Sequence, residues 1–268
     1  LHCELQRTLV LPLPKLDSNA LMLGGITLMH RSTPRDLLRS RELLEAVSER
    51  HKRVASPWAW LAKWHIMEVS QGLSADATQS FRHAISSADR ALDLEPTSTL
   101  AMAIKGHALC HLGADIHASR RLLIDATQTN PNNPMAWLYA GFWSSMWGEA
   151  QEAVANSERA LALSPLDPHQ FYLQMLASNS YLANGQLDMV IRVCNASLRK
   201  NRYHAPTLRA LMVAMHESGQ ENEARDVFQL ICQLQPELSL NRYLSYGQES
   251  ALRQRVANTF KAFGLRTE

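Results

Sequence analysis

The sequence predicts an all-α protein, a right-handed α-solenoid of about six helix pairs that ends in a capping helix. Glycine and proline are scarce, at eleven residues each in a chain of 268, which disfavours a many-turned sandwich or barrel. Prolines follow predicted helical segments at Pro96, Pro131, Pro165 and Pro236. They are 35, 34 and 71 residues apart, and the last spacing spans two units. Glycines in the middle of these segments are 35, 37 and 34 residues apart, at Gly113, Gly148, Gly185 and Gly219. A shared period of this length is typical of stacked helical repeats.

Six repeat units are predicted, each a pair of helices, at residues 18–51, 56–96, 99–131, 134–165, 171–202 and 205–236. In the first unit we expect helices at residues 19–30 and 34–51. Thr33 suits the N-cap of the second of these helices, and Pro34 suits its first helical position.

The segments that flank the repeats are predicted separately. Residues 1–17 contain no copy of the repeat, and we expect an extended remnant or linker there. Residues 237–268 are expected to form a capping helix, at 252–263, and a tail. A terminal helix of this kind shields the apolar face of the last repeat from water.

The composition excludes several other classes of protein. Apolar residues make up 46% and charged residues 19% of the chain, which is too apolar for a disordered protein. The formal net charge of +2 attracts neither a nucleic acid nor an anionic membrane, so neither is predicted as a partner. No apolar run approaches the roughly 18 residues that a membrane-spanning helix needs. Residue 1 is Leu rather than Met, so we expect the chain to be a piece of a longer protein.

The fourth and sixth units show the repeat most clearly. The fourth contains Trp137, Ala140, Gly141, Gly148, Ala153, Ala160 and Pro165, and the sixth contains Leu208, Leu211, Gly219, Ala224, Phe228 and Pro236. This pattern resembles the tetratricopeptide repeat of about 34 residues. The resemblance covers about residues 18–236 and implies an array of helix-turn-helix units. It implies no single function, because arrays of this kind bind unrelated ligands.

The resemblance also implies a concave groove that is lined by the first helices of successive units. Offsets within the repeat place eight candidate partner-binding residues there: Lys63, His107, His111, Phe142, Met146, Asn179, Arg209 and His216. Met and Phe offer apolar contact and Arg can bind a carboxylate, so a peptide or a helix of a partner protein is the expected ligand. Two alternatives stay open, namely that the apolar members belong to the core between repeats and that the polar members only face solvent.

The sequence contains none of the familiar catalytic or nucleotide-binding motifs. G-x-x-x-x-G-K-[ST], G-x-G-x-x-G, G-x-S-x-G and H-E-x-x-H are all absent, so neither an enzyme activity nor a cofactor is predicted. His107 and His111 are four residues apart on one predicted helix face, with Cys110 between them, a spacing that suits two metal ligands. No further ligand is evident on this face, so no metal is predicted. The pair is interpreted as part of a ligand groove or of a polar surface.

The four cysteines are Cys3, Cys110, Cys194 and Cys232, and no two of them form a C-x-x-C pair. We therefore expect unpaired, buried thiols. Thiols of this kind are typical of a reducing compartment, and a cytoplasmic location is predicted.

Three segments, residues 17–34, 164–168 and 263–266, resemble a repeat region of bacterial multidomain signalling proteins. In those proteins the region follows a winged-helix DNA-binding domain or a class III adenylate or guanylate cyclase domain. The resemblance implies a non-catalytic regulatory and protein-interaction module of a bacterial signalling or transcription-regulating protein. Its partner is expected to be a segment of a protein or a second copy of the chain. The alternative is a small-molecule-sensing domain that controls an attached adenylate cyclase or DNA-binding domain.

Overall fold

The computed structural model describes residues 8–31, 33–113 and 115–268, and all regular secondary structure in these ranges is helical. One turn of 3-10 helix at Leu13–Lys15 precedes α1 (Ser18–Met29), α2 (Pro34–Arg50), α3 (Ala55–Ser70), α4 (Ala77–Leu94), α5 (Thr99–Leu112), α6 (Ile116–Thr129), α7 (Pro134–Trp147), α8 (Ala150–Leu163), α9 (Gln170–Ala183), α10 (Leu187–Lys200), α11 (Ala205–Glu217), α12 (Glu221–Leu234), α13 (Leu240–Leu244) and α14 (Ala251–Ala262). None of these helices is long and apolar enough to cross a membrane. The prediction of an all-α protein is confirmed.

Helices α1 to α12 form six pairs, and each pair packs on the next. One hydrophobic core therefore runs from Met29 near the first pair to Phe263 beyond the last. A smaller apolar cluster, which includes Leu21, Leu28 and Leu43, lies within the first pair. This stacking follows from the repeat, because a single helix pair is too small to bury its own apolar face.

Side-chain caps and left-handed glycines mark many of the helix ends. Asp17 caps α1 by accepting a hydrogen bond from the N–H of Ala20 at 2.8 Å. Thr33 Oγ1 accepts from the N–H of Asp36 at 3.1 Å and caps α2, as its sequence position predicts. Gly148 ends α7 with a φ of +96°, a conformation that residues with a Cβ atom rarely adopt.

Small residues allow the two helices of a pair to approach closely. Ser119 Oγ of α6 donates to the carbonyl oxygen of Gly106 in α5 at 2.6 Å. In the fourth pair, a Cβ atom on Gly141 would lie 2.6 Å from Ser157 Oγ and 2.9 Å from the carbonyl oxygen of Ala153. A side chain at either glycine would force the paired helices apart.

The described residues before the first pair, 8–17, are packed against α2. Arg39 donates from Nε to the carbonyl oxygen of Thr8 at 3.0 Å and from Nη2 to that of Leu11 at 2.7 Å. Arg50 donates to the carbonyl oxygen of Leu13 at 2.7 Å. These two arginines fold the segment onto the array, so this part is not the extended linker that the absence of a repeat suggested.

The array curves far enough to bring distant pairs into contact. His30, after α1, stacks on His169, before α9, with ring centroids 4.1 Å apart. The end of α3 meets the sixth pair, where Arg209 Nη2 donates to the carbonyl oxygen of Ser70 at 2.9 Å and Gln235 Nε2 donates to that of Gln71 at 2.9 Å. The concave face therefore lies between pairs that are distant along the chain.

The chain beyond the last pair returns across this concave face. We call residues 239–262, which include α13 and α14, the C-terminal segment. Helix α14 packs against α11 and also contacts α7 and α9, so it covers the last pair as a capping helix and extends further along the array. The N–H of Gln248 donates to the carbonyl oxygen of His111 in α5 at 2.7 Å. The C-terminal segment thus spans the first helices of four consecutive pairs.

The cysteines in the described ranges have free thiols. Cys110 and Cys194 are buried and Cys232 is partly buried, whereas Cys3 lies outside the described residues. Burial raises the pKa of the Cys110 and Cys194 thiols to about 12 each. For Cys110 and Cys194, the prediction of buried, unpaired thiols is confirmed.

Candidate functional site

A cavity of about 120 Å³ lies between the concave face and the C-terminal segment. Helices α3, α5, α7, α9 and α11 supply most of one wall, and the C-terminal segment supplies the other. Six of the eight predicted groove residues line this cavity: His107, His111, Phe142, Met146, Asn179 and Arg209. The repeat offsets therefore locate the concave face, but they do not reveal that the chain itself covers it.

Lys63 is buried elsewhere, at the contact between the first, second and fifth pairs. Its side chain is 2% exposed, and its Nζ atom lies 3.2 Å from Nε2 of His30 and 4.5 Å from the ring centroid of Tyr172. Burial lowers the pKa of the Lys63 ammonium to about 7. Lys63 therefore belongs to the closure between repeats, and the repeat offset that predicts a groove position for it is misleading.

His216 also lies outside the cavity. Its Nδ1 atom is 2.7 Å from Oε2 of Glu221, and its ring packs edge-on against Phe263, with ring centroids 5.2 Å apart. The offset places it on the correct helix, α11, but beyond the part of α11 that borders the cavity.

Arg209 places a buried guanidinium group in the cavity wall. Its side chain is 8% exposed, and its hydrogen bonds go to the carbonyl oxygen of Ser70 at 2.9 Å and to Oε1 of Gln235 at 3.4 Å. Both acceptors are uncharged. Burial lowers the pKa of this guanidinium from its usual value, and the charge of Arg253 lowers it further.

Arg253 of α14 is the second buried guanidinium group, and sequence reasoning did not find it. It is 8% exposed, its Nη1 donates to the carbonyl oxygen of Tyr243 at 3.2 Å, and its Nε has no hydrogen-bond partner among the described residues. A signal for it exists in the sequence, because Leu252, Val256 and Phe260 form the apolar stripe of α14 and Arg253 interrupts that stripe. A charge on the buried face of a helix is unusual unless something pairs with it.

His107 and His111 contribute uncharged polar groups to the same wall. The His107 ring stacks on Tyr139 and the His111 ring on Phe81, with centroids 4.0 Å and 4.9 Å apart. The Nδ1 atoms of both histidines are buried without a hydrogen-bond partner in the described structure. Burial lowers the pKa of His107 well below its usual value, and burial together with the charge of Arg253 lowers that of His111 to about 3.

The two imidazoles do not complete a metal site. Within the described ranges, no three side chains of His, Cys, Asp or Glu come together in a way that could hold a metal ion. The remaining walls of the cavity are mostly apolar and aromatic, with Phe142, Tyr172, Met175 and Tyr246 among the larger residues, and Ser70 and Asn179 also line them. The arrangement suits a ligand that has a polar group for the arginines and an apolar body.

The fold is similar to that of three solved structures. A chain of the APC/C hetero-tetramer Cut9–Hcn1 matches with a TM-score of 0.59 and 14% identity over 90% of this chain and 46% of that one. This chain therefore spans about half the length of its Cut9–Hcn1 counterpart. TTC0263, a thermophilic TPR protein of Thermus thermophilus, matches with a TM-score of 0.52 and 18% identity over 69% of this chain and 92% of that one.

PilW, a widely conserved type IV pilus biogenesis factor, matches with a TM-score of 0.54 and 18% identity over 76% of this chain and 86% of that one. The chain thus has the fold of a tetratricopeptide-type helical array, as the repeat predicts. At these identities the similarity concerns the fold alone. No protein-family model matches the sequence, and neither does any curated protein.

Proposed function

We propose that this protein is a non-catalytic regulatory module in which the tetratricopeptide-type array binds a small molecule in the cavity beneath the C-terminal segment. The observation that supports this proposal is the position of the cavity between the concave helices on one side and the C-terminal segment on the other. An extended peptide needs an open groove, whereas here α14 occupies that position. Of the two functions that the sequence allows, the geometry therefore favours the sensing of a small molecule.

The size of the cavity restricts the ligand. Its volume of about 120 Å³ is somewhat smaller than the roughly 150 Å³ of an engineered apolar cavity that binds benzene. A compact molecule of on the order of ten non-hydrogen atoms or fewer fits such a space. A nucleotide or a peptide would require the C-terminal segment to leave.

The proposed context follows from the resemblance of residues 17–34 to repeat regions of bacterial signalling and transcription-regulating proteins. In that context the array would be attached to an adenylate cyclase or a DNA-binding domain. In the closed form the C-terminal segment lies on the concave face, and in the open form it has moved away. A ligand that contacts both the array and this segment binds the closed form more tightly and therefore stabilises it, by an amount set by the difference in affinity. An attached output domain could respond to this change in the proportion of the closed form.

Loosening the C-terminal segment tests this function directly. Gly247 has a φ of +154°, and a Cβ atom on it would lie 2.8 Å from the carbonyl oxygen of His111. We expect Gly247→Val to displace the C-terminal segment, whereas Glu249→Val changes an exposed neighbour and leaves it in place. Both variants and the wild type would be screened by thermal shift against compact metabolites and against peptides.

The proposal requires that compact metabolites raise the melting temperature of the wild type and of Glu249→Val but not of Gly247→Val. Peptides that stabilise the wild type while no compact metabolite does so would contradict it. Native mass spectrometry of the purified protein provides a second readout, because a retained small ligand adds a defined mass.

A second candidate function, the binding of a partner protein, is favoured by one observation. The concave face already accommodates a helix, α14, which packs against α11 and contacts α7 and α9. The Cut9–Hcn1 structure is an assembly of two different proteins, one of whose chains has a similar fold. A partner helix would then compete with α14 for the concave face. A fluorescent peptide of residues 239–262 should bind Gly247→Val more tightly than the wild type, and equal binding to both would contradict this function.

A further inference from the structure

Arg209 and Arg253 place two positive charges in a cavity whose described lining residues include no Asp or Glu. Each arginine is 8% exposed. A buried charge is strongly unfavourable unless an opposite charge lies close to it. In the described structure, neither guanidinium forms an ion pair, and their hydrogen bonds go to the carbonyl oxygens of Ser70 and Tyr243 and to the side-chain amide of Gln235. The cavity therefore has an excess of positive charge.

The two arginines approach a common group, the ring of Tyr243. The Cζ atoms of Arg209 and Arg253 lie 5.9 Å and 5.7 Å from the centroid of this ring. A ring face gives partial compensation to a cation, but less than a carboxylate does when the pair is desolvated. Because the two charges come from α11 and from the C-terminal segment, an anion between them would join these two parts of the chain.

Further polar groups in the wall lack partners. The Nδ1 atoms of His107 and His111 and the Nε of Arg253 are buried, and none of them has a hydrogen-bond partner in the described ranges. Buried polar atoms in folded proteins nearly always have such a partner, in the protein or in a bound molecule. The two histidine atoms are independent of the charge argument, and all three atoms point to a ligand with hydrogen-bonding capacity.

We propose that the cavity binds a small organic acid, with its carboxylate held by Arg209 and Arg253 and its apolar body against Phe142 and Met175. Guanidinium groups match the planar geometry of a carboxylate and bind it with two parallel hydrogen bonds. The aromatic and thioether walls suit a short aromatic or aliphatic body. This inference rests on the proposed function and names the chemical class of its ligand.

The test compares benzoate with benzamide, which has nearly the same shape and no charge. Melting temperatures would be measured with each compound, and with inorganic phosphate, at equal ionic strength. We expect benzoate to raise the melting temperature of the full chain by several degrees and benzamide and phosphate to have little effect.

Arg209→Met and Arg253→Met each keep the bulk of the side chain and remove its charge. We expect each variant to weaken benzoate binding at least about tenfold, as loss of one charged hydrogen-bonded partner does. Without ligand, each should melt at or above the wild-type temperature, because an unpaired buried charge has been removed. Lys261→Met is the matched control, since Lys261 is exposed on the same helix as Arg253. If a Met variant fails to fold, Arg253→Lys takes its place and should weaken benzoate binding through loss of the planar guanidinium.

The outcomes separate this proposal from the proposed function. Equal stabilisation by benzamide and benzoate, or unchanged benzoate affinity in both arginine variants, overturns the organic acid and leaves the small-molecule function standing. Phosphate that stabilises as strongly as benzoate overturns the requirement for an apolar body. If neither benzoate nor any compact neutral compound raises the melting temperature, both proposals are overturned.

Discussion

His30 stacks on His169, although 139 residues separate them along the chain, with ring centroids 4.1 Å apart and ring planes inclined by 23°. Nδ1 of His30 donates to the carbonyl oxygen of Ile26 at 2.8 Å, so Nε2 is the atom that faces Lys63 Nζ at 3.2 Å. Burial lowers the pKa of both histidines, and the charge of Lys63 lowers them further. The contact that joins the first and fifth pairs therefore favours uncharged rings.

We expect the free energy of unfolding to fall as the pH decreases below about 6.5, the ordinary pKa of histidine. His30, His107 and His169 have lowered pKa values, and those of His111 and His204 are about 3. The unfolded chain then binds protons that the folded chain does not. Each such histidine therefore lowers the free energy of unfolding by about 1.4 kcal/mol for each unit by which the pH falls. Urea unfolding at several pH values between 7.5 and 4 measures this slope.

His30→Asn should reduce the slope of the free energy of unfolding against pH, because it removes one buried histidine that is neutral in the folded chain. His83→Asn is the control, since His83 is exposed on α4. The same acid sensitivity in His30→Asn as in the wild type would show that His30 is not one of the responsible groups.

The burial of Lys63 leads us to expect a second pH dependence of the free energy of unfolding, in the alkaline range. The pKa of its ammonium falls to about 7 on folding from an ordinary value of about 10.5. Between these values the unfolded chain keeps a proton that the folded chain has lost, so stability should rise with pH. Lys63→Met should abolish most of the increase between pH 7 and 9.5, as measured by urea unfolding. An undiminished increase in this variant would contradict the assignment.

Gly141→Ala should destabilise the fourth helix pair. The new Cβ atom would lie 2.6 Å from Ser157 Oγ and 2.9 Å from the carbonyl oxygen of Ala153, and α8 would have to move. Overpacking of this kind costs about 1–3 kcal/mol. Gly148→Asn is the matched comparison, because no atom lies within 4 Å of its Cβ position and Asn tolerates a positive φ. Chemical denaturation should rank Gly141→Ala clearly below Gly148→Asn, and the reverse order would contradict close packing at Gly141.

The thiols of Cys110 and Cys194 should be unreactive in the folded protein. Their pKa values of about 12 leave almost no thiolate at pH 8, and both side chains are buried. In a Cys3→Ser/Cys232→Ser variant, a thiol reagent should detect both cysteines in urea and neither of them without urea. Rapid labelling of the folded variant would show that the core opens near one of these helices.

Much of the fold follows from the local pattern. The predicted helix at residues 252–263 differs by one residue from α14, and the predicted cap at Thr33 is present. Helix caps, turn glycines and the spacing of small residues each involve residues of about one helix pair, so they can be recognised in the sequence. Phe142 and Arg209, which the repeat offsets assign to the groove, both line the cavity.

The candidate site depends on contacts that the repeat period does not encode. Arg209 bonds to Ser70, 139 residues earlier, and Gln248 bonds to His111, 137 residues earlier. Lys63 occupies a groove offset but is buried by Tyr172 and His30, because the array curves until the first and fifth pairs meet. Arg253 lies outside the repeats altogether, and no offset could assign it.

The helix pairs and their number could be predicted from the sequence, because they depend on residues that are near one another along the chain. The covering of the concave face could not, and neither could the cavity beneath the C-terminal segment or the two buried arginines that line it without a carboxylate. These features arise only on folding, because curvature accumulates over many small contacts between neighbouring pairs, and its sum decides which distant residues touch.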